Sequence, residues 1–241
     1  MIPRIFHQIW VWEKEIPRIY LDYIWNWIDL HPDYIHTLWG DDSIKKLNYL
    51  EVSKLDLCQN ASEKADYIRI CALLEFWGVY IDTDMECYKN IDILLQNENF
   101  VIWQENINTC NNAFIAATEE HPLLKEIYWW FEKTLQKKTL PTRLKTWPYY
   151  ISNYIKKHKI KILPWHYFYP EHWNNLEDAQ KYWNEVFANH HYSFWGEKYF
   201  LSKAIFAIKK KLAMTYLGLL MCRVWQSLID KFLVLRIKIG L

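Results

Sequence analysis

A predicted helix that runs directly into a predicted strand, between residues 61 and 91, limits the possible folds more than any other stretch of this sequence. Ser62 carries a hydroxyl that can cap a helix, and the helix is predicted to continue through Trp77. Gly78 is typical of a helix end, and Val79–Asp84 is predicted to follow at once as a strand. A helix joined this closely to a strand is typical of α/β proteins.

Predicted strands and helices alternate over much of the remaining chain. The other extended segments are Arg4–Trp10, Ile35–Trp39, Phe100–Gln104, Ala113–Ala117 and Lys161–Pro164, and the other helices are Pro17–Leu30, His121–Leu135 and Trp147–His158. This order predicts an α/β fold with a mainly parallel central sheet flanked by helices. In such sheets ligands bind outside the carboxyl ends of the strands, where the acids of Val79–Asp84 would lie.

Length and charge exclude two broad classes of protein. The chain has 241 residues and is 51% hydrophobic, so it can bury one good core, and disorder is not expected. Its 29 basic and 28 acidic residues nearly cancel, which argues against a nucleic-acid partner. The 15 Trp, 17 Tyr and 11 Phe can stack on sugars and bases or fill a core, and composition leaves both uses open.

Cysteine usage and the N-terminal sequence indicate a cytoplasmic compartment. The five cysteines form no C-x-x-C pair, a pattern that indicates reduced thiols instead of a disulfide framework or a zinc site. The first residues show neither a signal peptide nor a membrane anchor.

Two acids at the end of the central predicted strand are candidate metal ligands. Side chains alternate along a strand, so Tyr80, Asp82 and Asp84 are expected on one face. Paired carboxylates suit Mn²⁺ or Mg²⁺, ions that commonly bridge carboxylates to substrate phosphates. The alternative is that these are surface acids with no ligand.

A second charged pair lies on the preceding helix. Asp66 and Arg69 are three residues apart and therefore share a helix face. They could form an ordinary intrahelical salt bridge, or they could face the same cleft and bind a phosphate or a sugar hydroxyl.

The stretches Ala65–Arg69 and Trp77–Asp84 closely resemble the sugar-binding D-x-D region of the family 32 glycosyltransferases. That family includes mannosyltransferases and the sugar transferases of bacterial capsule and lipopolysaccharide synthesis. The family pattern has two glycines where this sequence has Trp77-Gly78. The resemblance implies a GT-A fold, a nucleotide-diphosphate sugar donor, a divalent metal and retention of the anomeric configuration.

Both ends of the predicted catalytic domain extend this resemblance. The segment Ile2–Trp10 is similar to the family's first strand, which implies that His7, Gln8 and Trp10 lie near the donor nucleotide. Ala188–Trp195 is similar to the family's closing H-H-x-x-x-S-W motif, although Ser193 lies two residues before Trp195.

The resemblance implies a role for each of these residues. Asp84 would hold the metal with Asp82 and His190, and His191 is the second choice for the histidine ligand. Asp66 and Arg69 would grip the donor sugar, and Ser193 and Trp195 would bind its diphosphate. Further donor-binding candidates are Tyr80 and Asn112. Asn112 belongs to an amide-rich patch that is equally typical of a turn.

These inferences together predict a metal-dependent, retaining glycosyltransferase that uses a UDP- or GDP-linked sugar and a glycan acceptor, which can be lipid-linked. Two alternatives stay open: a binding module of the same fold without transfer activity, and a transferase that modifies protein. A two-metal phosphoesterase is less favoured, because no richer His/Asp cluster surrounds Asp82.

The C-terminal segment differs from the predicted catalytic domain of residues 1–200. Residues 201–241 mix basic side chains with Leu, Ile, Val and Trp, and they contain no apolar run long enough to cross a bilayer. An amphipathic helix on the inner surface of the membrane is slightly favoured, and a helix packed on the domain is the alternative.

Overall fold

A mixed six-stranded sheet lies at the centre of the described part of the chain. The computed structural model describes residues 1–106, 109–137, 139, 155, 158, 160–169 and 182–191. The strands are β1 (Ile5–Ile9), β2 (Ile35–Trp39), β3 (Gly78–Ile81), β4 (Met85–Cys87), β5 (Phe100–Asn106), β6 (Thr109–Ala117), β7 (Lys161–Leu163) and β8 (Ala188–His190). The helices are α1 (Arg18–Leu30), α2 (Val52–Leu55), α3 (Ala61–Phe76), α4 (Asp92–Leu95) and α5 (Pro122–Leu135), with 3₁₀ turns at Ile44–Lys46, Trp165–Tyr167 and Trp183–Glu185.

The strand order is β2-β1-β3-β6-β5-β7, and a separate ribbon pairs β4 with β8. Three of the five pairings within the sheet are parallel, namely β1 with β2, β1 with β3, and β5 with β7. The pairings of β6 with β3 and with β5 are antiparallel. The predicted α/β architecture with a mainly parallel sheet is therefore confirmed, and the β5–β6 hairpin makes the sheet mixed.

Helix α3 begins earlier than the predicted Ser62 cap. Asn60 is the N-cap, and its side-chain oxygen accepts a hydrogen bond of 2.9 Å from the amide of Glu63. The Glu63 carboxylate reaches back and accepts a bond of 2.9 Å from the amide of Gln59. Ser62 was therefore the wrong cap, because Asn60 offers a better-placed acceptor two residues upstream.

The junction between α3 and β3 uses two residues with left-handed backbone. Trp77 has φ 57° and ψ −156°, a region that few residues other than glycine adopt, and Gly78 has φ 86°. A Cβ on Gly78 would lie only 2.5 Å from the backbone oxygen of Ile5. The chain therefore keeps glycine where β3 meets β1, and it accepts backbone strain at Trp77.

The strand that follows is shorter than predicted. β3 ends at Ile81, and the residues Asp82–Asp84 form a turn that leads into β4. The alternation argument that placed Tyr80, Asp82 and Asp84 on one strand face is therefore wrong for Asp84. The turn, not the pleat, sets the position of its carboxylate.

Much of the aromatic excess fills the core. The largest fully buried side chains include Trp27, Trp103, Tyr67, Tyr80, Phe6 and Phe100. The use of aromatic residues as core fillers, left open by composition, is correct for these positions, while Trp25 and Trp129 are exposed.

Several predictions concern residues that the structure leaves undescribed. Of the predicted helix Trp147–His158, only Ile155 and His158 are described. The described residues all belong to one unit, Met1–His191, so the domain limit at residue 200 and the amphipathic tail stay predictions. Among the described helices, we find none with the length and apolar character needed to span a membrane.

Substituting Gly78 with alanine should destabilise the fold. The positive φ and the clash with Ile5 should together lower the free energy of unfolding by at least about 2 kcal/mol. Gly40→Ala is the matched control, because its added Cβ would meet only the backbone oxygen of Trp10 at 3.8 Å. Urea unfolding of both variants checks this, and equal stabilities would contradict the steric account.

Candidate active site

Three side chains converge beyond the carboxyl end of β3. Asp82, Asp84 and His190 each offer a ligand atom, and these atoms all lie within 4.8 Å of one another. His190 Nε2 is 3.3 Å from Asp84 Oδ1 and 3.7 Å from Asp82 Oδ2. The two carboxylates stay 24% and 17% exposed, so a ligand can reach them. The structure therefore brings together the two acids and the preferred histidine of the sequence prediction.

The β4–β8 ribbon delivers His190 to the acids. Met85, which follows the acidic turn, pairs directly with His190 in the antiparallel register. The amide of His191 also donates to the backbone oxygen of Asp84, at 3.1 Å. A residue more than a hundred positions away along the sequence is thereby fixed beside Asp82 and Asp84.

The donor set fits a divalent cation. Two carboxylates and one imidazole match the oxygen and nitrogen ligands that Mn²⁺ accepts, and Mg²⁺ is compatible with the carboxylates. Cation binding would also relieve the repulsion between two carboxylates this close together.

The acids determine the protonation of His190. Burial disfavours the charged imidazole, but the attraction of Asp84 and, to a smaller extent, Asp82 and Glu105 outweighs it and raises the pKa of His190. The raised pKa of His190 therefore favours its protonated form more than an isolated histidine would, in the direction that offsets the two carboxylates.

Asp66 and Arg69 lie beside this cluster, as their positions in α3 require. Arg69 precedes Trp77 by eight helical residues, roughly 12 Å, and Asp82 follows Gly78 by four strand residues, roughly 13 Å. These two lengths are nearly equal, so a strand that turns back along the helix brings Asp82 to the level of Arg69. Its Nη1 lies 3.3 Å from Asp82 Oδ1, and its Nη2 lies 2.9 Å from Asp66 Oδ1.

Asn112 on β6 completes this group. Its side-chain amide donates to Asp66 Oδ1 at 2.6 Å, and its backbone oxygen accepts from Arg69 Nη1 at 2.6 Å. The alternative that this residue belongs to a turn is wrong, because Asn112 lies within a strand. The proposed grip of Arg69 on the donor sugar is limited by burial, since Arg69 is 4% exposed and is already engaged by these partners.

Tyr80 is buried beneath Arg69. Its hydroxyl donates to Asp82 Oδ1 at 2.6 Å, and the Arg69 guanidinium lies 4.3 Å from the centre of its ring. Burial raises the pKa of Tyr80 well above its ordinary value, so the hydroxyl stays protonated and donates. Tyr80, which the sequence suggested as a residue that binds the sugar donor, therefore contacts Asp82 from the buried side of the acidic turn.

His7 and Gln8 also support the site from within the core. His7 Nε2 donates to the backbone oxygen of Trp77 at 2.7 Å, and burial lowers the pKa of His7 to about 4, so its ring is neutral. Gln8 donates to the backbone oxygen of Asp82 at 3.4 Å, and its own oxygen accepts from His36 Nε2 at 2.8 Å. Both side chains are buried. They therefore support the helix–strand junction and the acidic turn from inside and do not line a surface that a ligand could reach.

Trp10 lies at the carboxyl end of β1, on the same sheet edge as Asp82. Its indole Nε1 donates to the backbone oxygen of Lys14 at 2.7 Å. Its ring packs near those of Trp12 and Tyr20, with centroid distances of 6.1 and 5.9 Å. Trp10 is therefore partly exposed at this edge of the sheet, and its expected place near the donor nucleotide stays a prediction.

The structure does not bring His191 into the metal-ligand cluster. Its Nε2 lies 2.9 Å from Glu86 Oε2, and its ring stacks on Tyr23 at 4.8 Å. Successive residues at the end of β8 point in opposite directions, so His190 and His191 cannot both face the acids. Ser193 and Trp195 lie outside the described residues.

Two supporting contacts had no sequence signal. Trp27 on α1 donates from its indole to the backbone oxygen of Met85 at 2.8 Å, which holds β4 in place. The ring of Trp103 meets His190 edge-on, with the centroids 5.8 Å apart. Neither tryptophan stands in a recognisable motif, so only the folded chain identifies them.

Asp82 and Asp84 lie within a region that matches a known protein family. Residues 17–101 match the family model described as "Glycosyltransferase sugar-binding region containing DXD motif", which confirms the family resemblance. Inositol phosphoceramide mannosyltransferase 3 of Schizosaccharomyces pombe is 31% identical over 130 residues, which cover 52% of this chain and 36% of that protein. Inositol phosphoceramide mannosyltransferase 2 of the same organism is 30% identical over 169 residues, covering 67% of this chain and 48% of that protein.

The chain therefore spans half or less of the length of these two curated relatives. A protein described as an uncharacterized glycosyltransferase of Acanthamoeba polyphaga mimivirus is 31% identical over 137 residues, covering 53% of this chain and 55% of that protein. The solved structure titled "PaToxG Glycosyltransferase" superposes with a TM-score of 0.51 at 16% identity, covering 64% of this chain and 70% of that chain. Its likeness confirms the GT-A-like fold.

The pKa of His190 provides a test of the cluster geometry. In metal-free protein it should lie above the ordinary value of about 6.5, and Asp84→Asn should lower it by removing the largest attraction. Because the folded-state pKa is raised, this interaction stabilises the protein fully below about pH 6.5 and is lost as the pH rises through the folded pKa. NMR titration in EDTA checks the direction, and an unchanged pKa in Asp84→Asn would contradict the contact.

Proposed function

We propose that the chain transfers a hexosyl group from a nucleotide-diphosphate sugar to a glycan or glycolipid hydroxyl. The match of residues 17–101 to the glycosyltransferase sugar-binding region containing a DXD motif supports this proposal. The observation that carries the proposal is the convergence of Asp82, Asp84 and His190 beyond the end of β3, with Asp66 and Arg69 alongside.

Asp82, Asp84 and His190 hold a divalent cation in this proposal, with Mn²⁺ favoured over Mg²⁺ because one ligand is an imidazole. A bound cation supplies Lewis-acid stabilisation of the negative charge that develops on the departing nucleoside diphosphate. The chain's own task is to hold the carboxylates in a fixed orientation toward the cation. At Asp82 the Tyr80 hydroxyl does so by donating a hydrogen bond, and Arg69 does so by forming an ion pair.

The donor sugar is proposed to lie against the small exposed part of Asp66, which is 6% exposed. Arg69 and Asn112 both donate to this carboxylate, so its orientation is set before a sugar hydroxyl binds. Arg69 then acts mainly by linking Asp66 with Asp82. We identify no nucleophile for a double displacement, and a retaining front-face transfer, in which the leaving phosphate accepts the acceptor proton, requires none.

The nucleotide is proposed to bind along the carboxyl edge of β1. Trp10 is partly exposed, and an aromatic ring there could stack on a base. Ser193 and Trp195 are proposed to donate hydrogen bonds to the diphosphate, as the family resemblance implies. Both side chains carry a suitable donor.

The names of the relatives suggest which substrates to test first. Relatives of Schizosaccharomyces pombe and Saccharomyces cerevisiae are named as inositol phosphoceramide mannosyltransferases and mannosyl phosphorylinositol ceramide synthases. We therefore propose mannose as the first candidate sugar and an inositol-phosphate glycolipid as the first candidate acceptor. This choice agrees with the lipid-linked acceptor expected from the sequence.

Release of nucleotide from a panel of GDP- and UDP-sugars, beginning with GDP-mannose, tests the proposed activity. We expect release from one donor with Mn²⁺ and little with EDTA. Asp84→Asn should lower the rate roughly 100-fold or more, because a metal contributes several kcal/mol and each 1.4 kcal/mol is a factor of ten. Adding an inositol phosphoceramide acceptor should convert hydrolysis into transfer.

Asp42→Asn is the matched control, since it also removes one carboxylate but changes an exposed surface pair with Lys45. It should keep the wild-type rate. Equal activity of Asp84→Asn and wild type would contradict the metal assignment. Binding of a nucleotide sugar without release or transfer to any acceptor would favour the alternative of a binding module.

We also propose that residues 201–241 contact a membrane surface, because their sequence combines basic and apolar side chains. Removal of residues 203–241 should abolish sedimentation with anionic vesicles and leave donor hydrolysis intact. Unchanged vesicle binding by the shortened chain would contradict this proposal.

A further inference from the structure

Tyr80 contacts two members of the candidate site with two different parts of its side chain. The residue lies in β3, pairs with Ile115 on one side, and is 2% exposed. The face of its ring supports the Arg69 guanidinium at 4.3 Å, while its hydroxyl donates to Asp82 at 2.6 Å. A strand paired on both sides is a rigid base, so the hydroxyl has a well-defined position.

The two oxygens of Asp82 have different surroundings. Oδ1 accepts from the Tyr80 hydroxyl and faces Arg69 Nη1 at 3.3 Å. Oδ2 is the oxygen nearer to His190, 3.7 Å from its Nε2, and therefore lies on the side where the three ligand atoms converge. A carboxylate with one oxygen engaged by donors keeps its orientation before a metal arrives.

We infer that Tyr80 is a positioning residue: by holding Oδ1 of Asp82, its hydroxyl directs Oδ2 alone to the cation and so raises the affinity of the site. The inference rests on the proposed function only to the extent that a divalent cation binds at Asp82, Asp84 and His190. It assigns Tyr80 to the residues that orient a cation ligand, whereas the sequence had suggested that Tyr80 touches the donor.

The hydroxyl can be removed without removing the ring. Tyr80→Phe keeps the aromatic face beneath Arg69, so the cation–π contact survives and only the hydrogen bond to Asp82 is lost. The chain also contains a matched control. Tyr34 donates to Asp92 Oδ1 at the same distance, 2.6 Å, and Asp92 is not a member of the metal-ligand cluster.

The first experiment measures Mn²⁺ affinity directly, by the electron paramagnetic resonance signal of unbound Mn²⁺ titrated into the full-length chain. No donor or turnover is needed. Tyr80→Phe should bind Mn²⁺ about tenfold more weakly or worse, which is typical when a group that orients a metal ligand is lost. Tyr34→Phe should bind like wild type, even though it loses an equivalent hydrogen bond.

A second measurement keeps the inference testable even if Tyr80→Phe does not fold. Infrared difference spectra on Mn²⁺ binding to wild-type protein should contain carboxylate bands whose wide splitting is that of a ligand bound through one oxygen. The Asp82→Asn spectrum identifies which of these bands belong to Asp82.

Three results would overturn the inference. Equal Mn²⁺ affinity of wild type and Tyr80→Phe would do so while leaving the metal site, and with it the proposed function, in place. A narrow splitting for Asp82, typical of two-oxygen binding, would have the same effect. Absence of Mn²⁺ binding by wild-type protein would remove both the inference and the metal site on which it depends.

Discussion

The rest of the site depends on the ion pairs and the hydrogen bond that the buried guanidinium of Arg69 makes. A charge removed from water must be paired, and Arg69 is paired with Asp66, Asp82 and the backbone oxygen of Asn112. These contacts join α3, the acidic turn and β6, so the carboxylate proposed to bind sugar and the carboxylate proposed to bind metal are fixed relative to each other. The strained junction at Trp77-Gly78 contributes to this arrangement by turning the chain directly from α3 into β3.

The third proposed metal ligand depends on a different constraint. His190 reaches the acids because β8 pairs with β4, and β4 begins one residue after Asp84. The same turn therefore carries two proposed ligands and leads into the strand that pairs with the segment carrying the third. Buried groups hold this turn from several sides, with Tyr80 and Arg69 on the Asp82 carboxylate, Gln8 on its backbone oxygen and Trp27 on Met85.

Local sequence signals predicted the parts of the molecule that local physics determines. The alternating elements predicted the α/β class, the spacing of Asp66 and Arg69 predicted their shared helix face, and the two acids at the end of the predicted strand Val79–Asp84 pointed to the candidate site. What sequence could not supply depends on long-range contacts. The antiparallel pairing of β6 with β3, the β4–β8 ribbon, and the burial of His7 and Gln8 arise only when distant segments pack together. The alternation rule failed at Asp84 because β3 ends at Ile81 and a turn replaces the pleat.

The central claim is that Asp82, Asp84 and His190 together hold a divalent cation. Anomalous diffraction at the manganese edge, from crystals of the full chain grown with Mn²⁺ and a nucleoside diphosphate, tests it most directly. The account predicts one strong peak among Asp82 Oδ2, the Asp84 carboxylate and His190 Nε2, adjoining the diphosphate. Ordered diphosphate with no peak there, or with a peak held by other residues, would contradict the account.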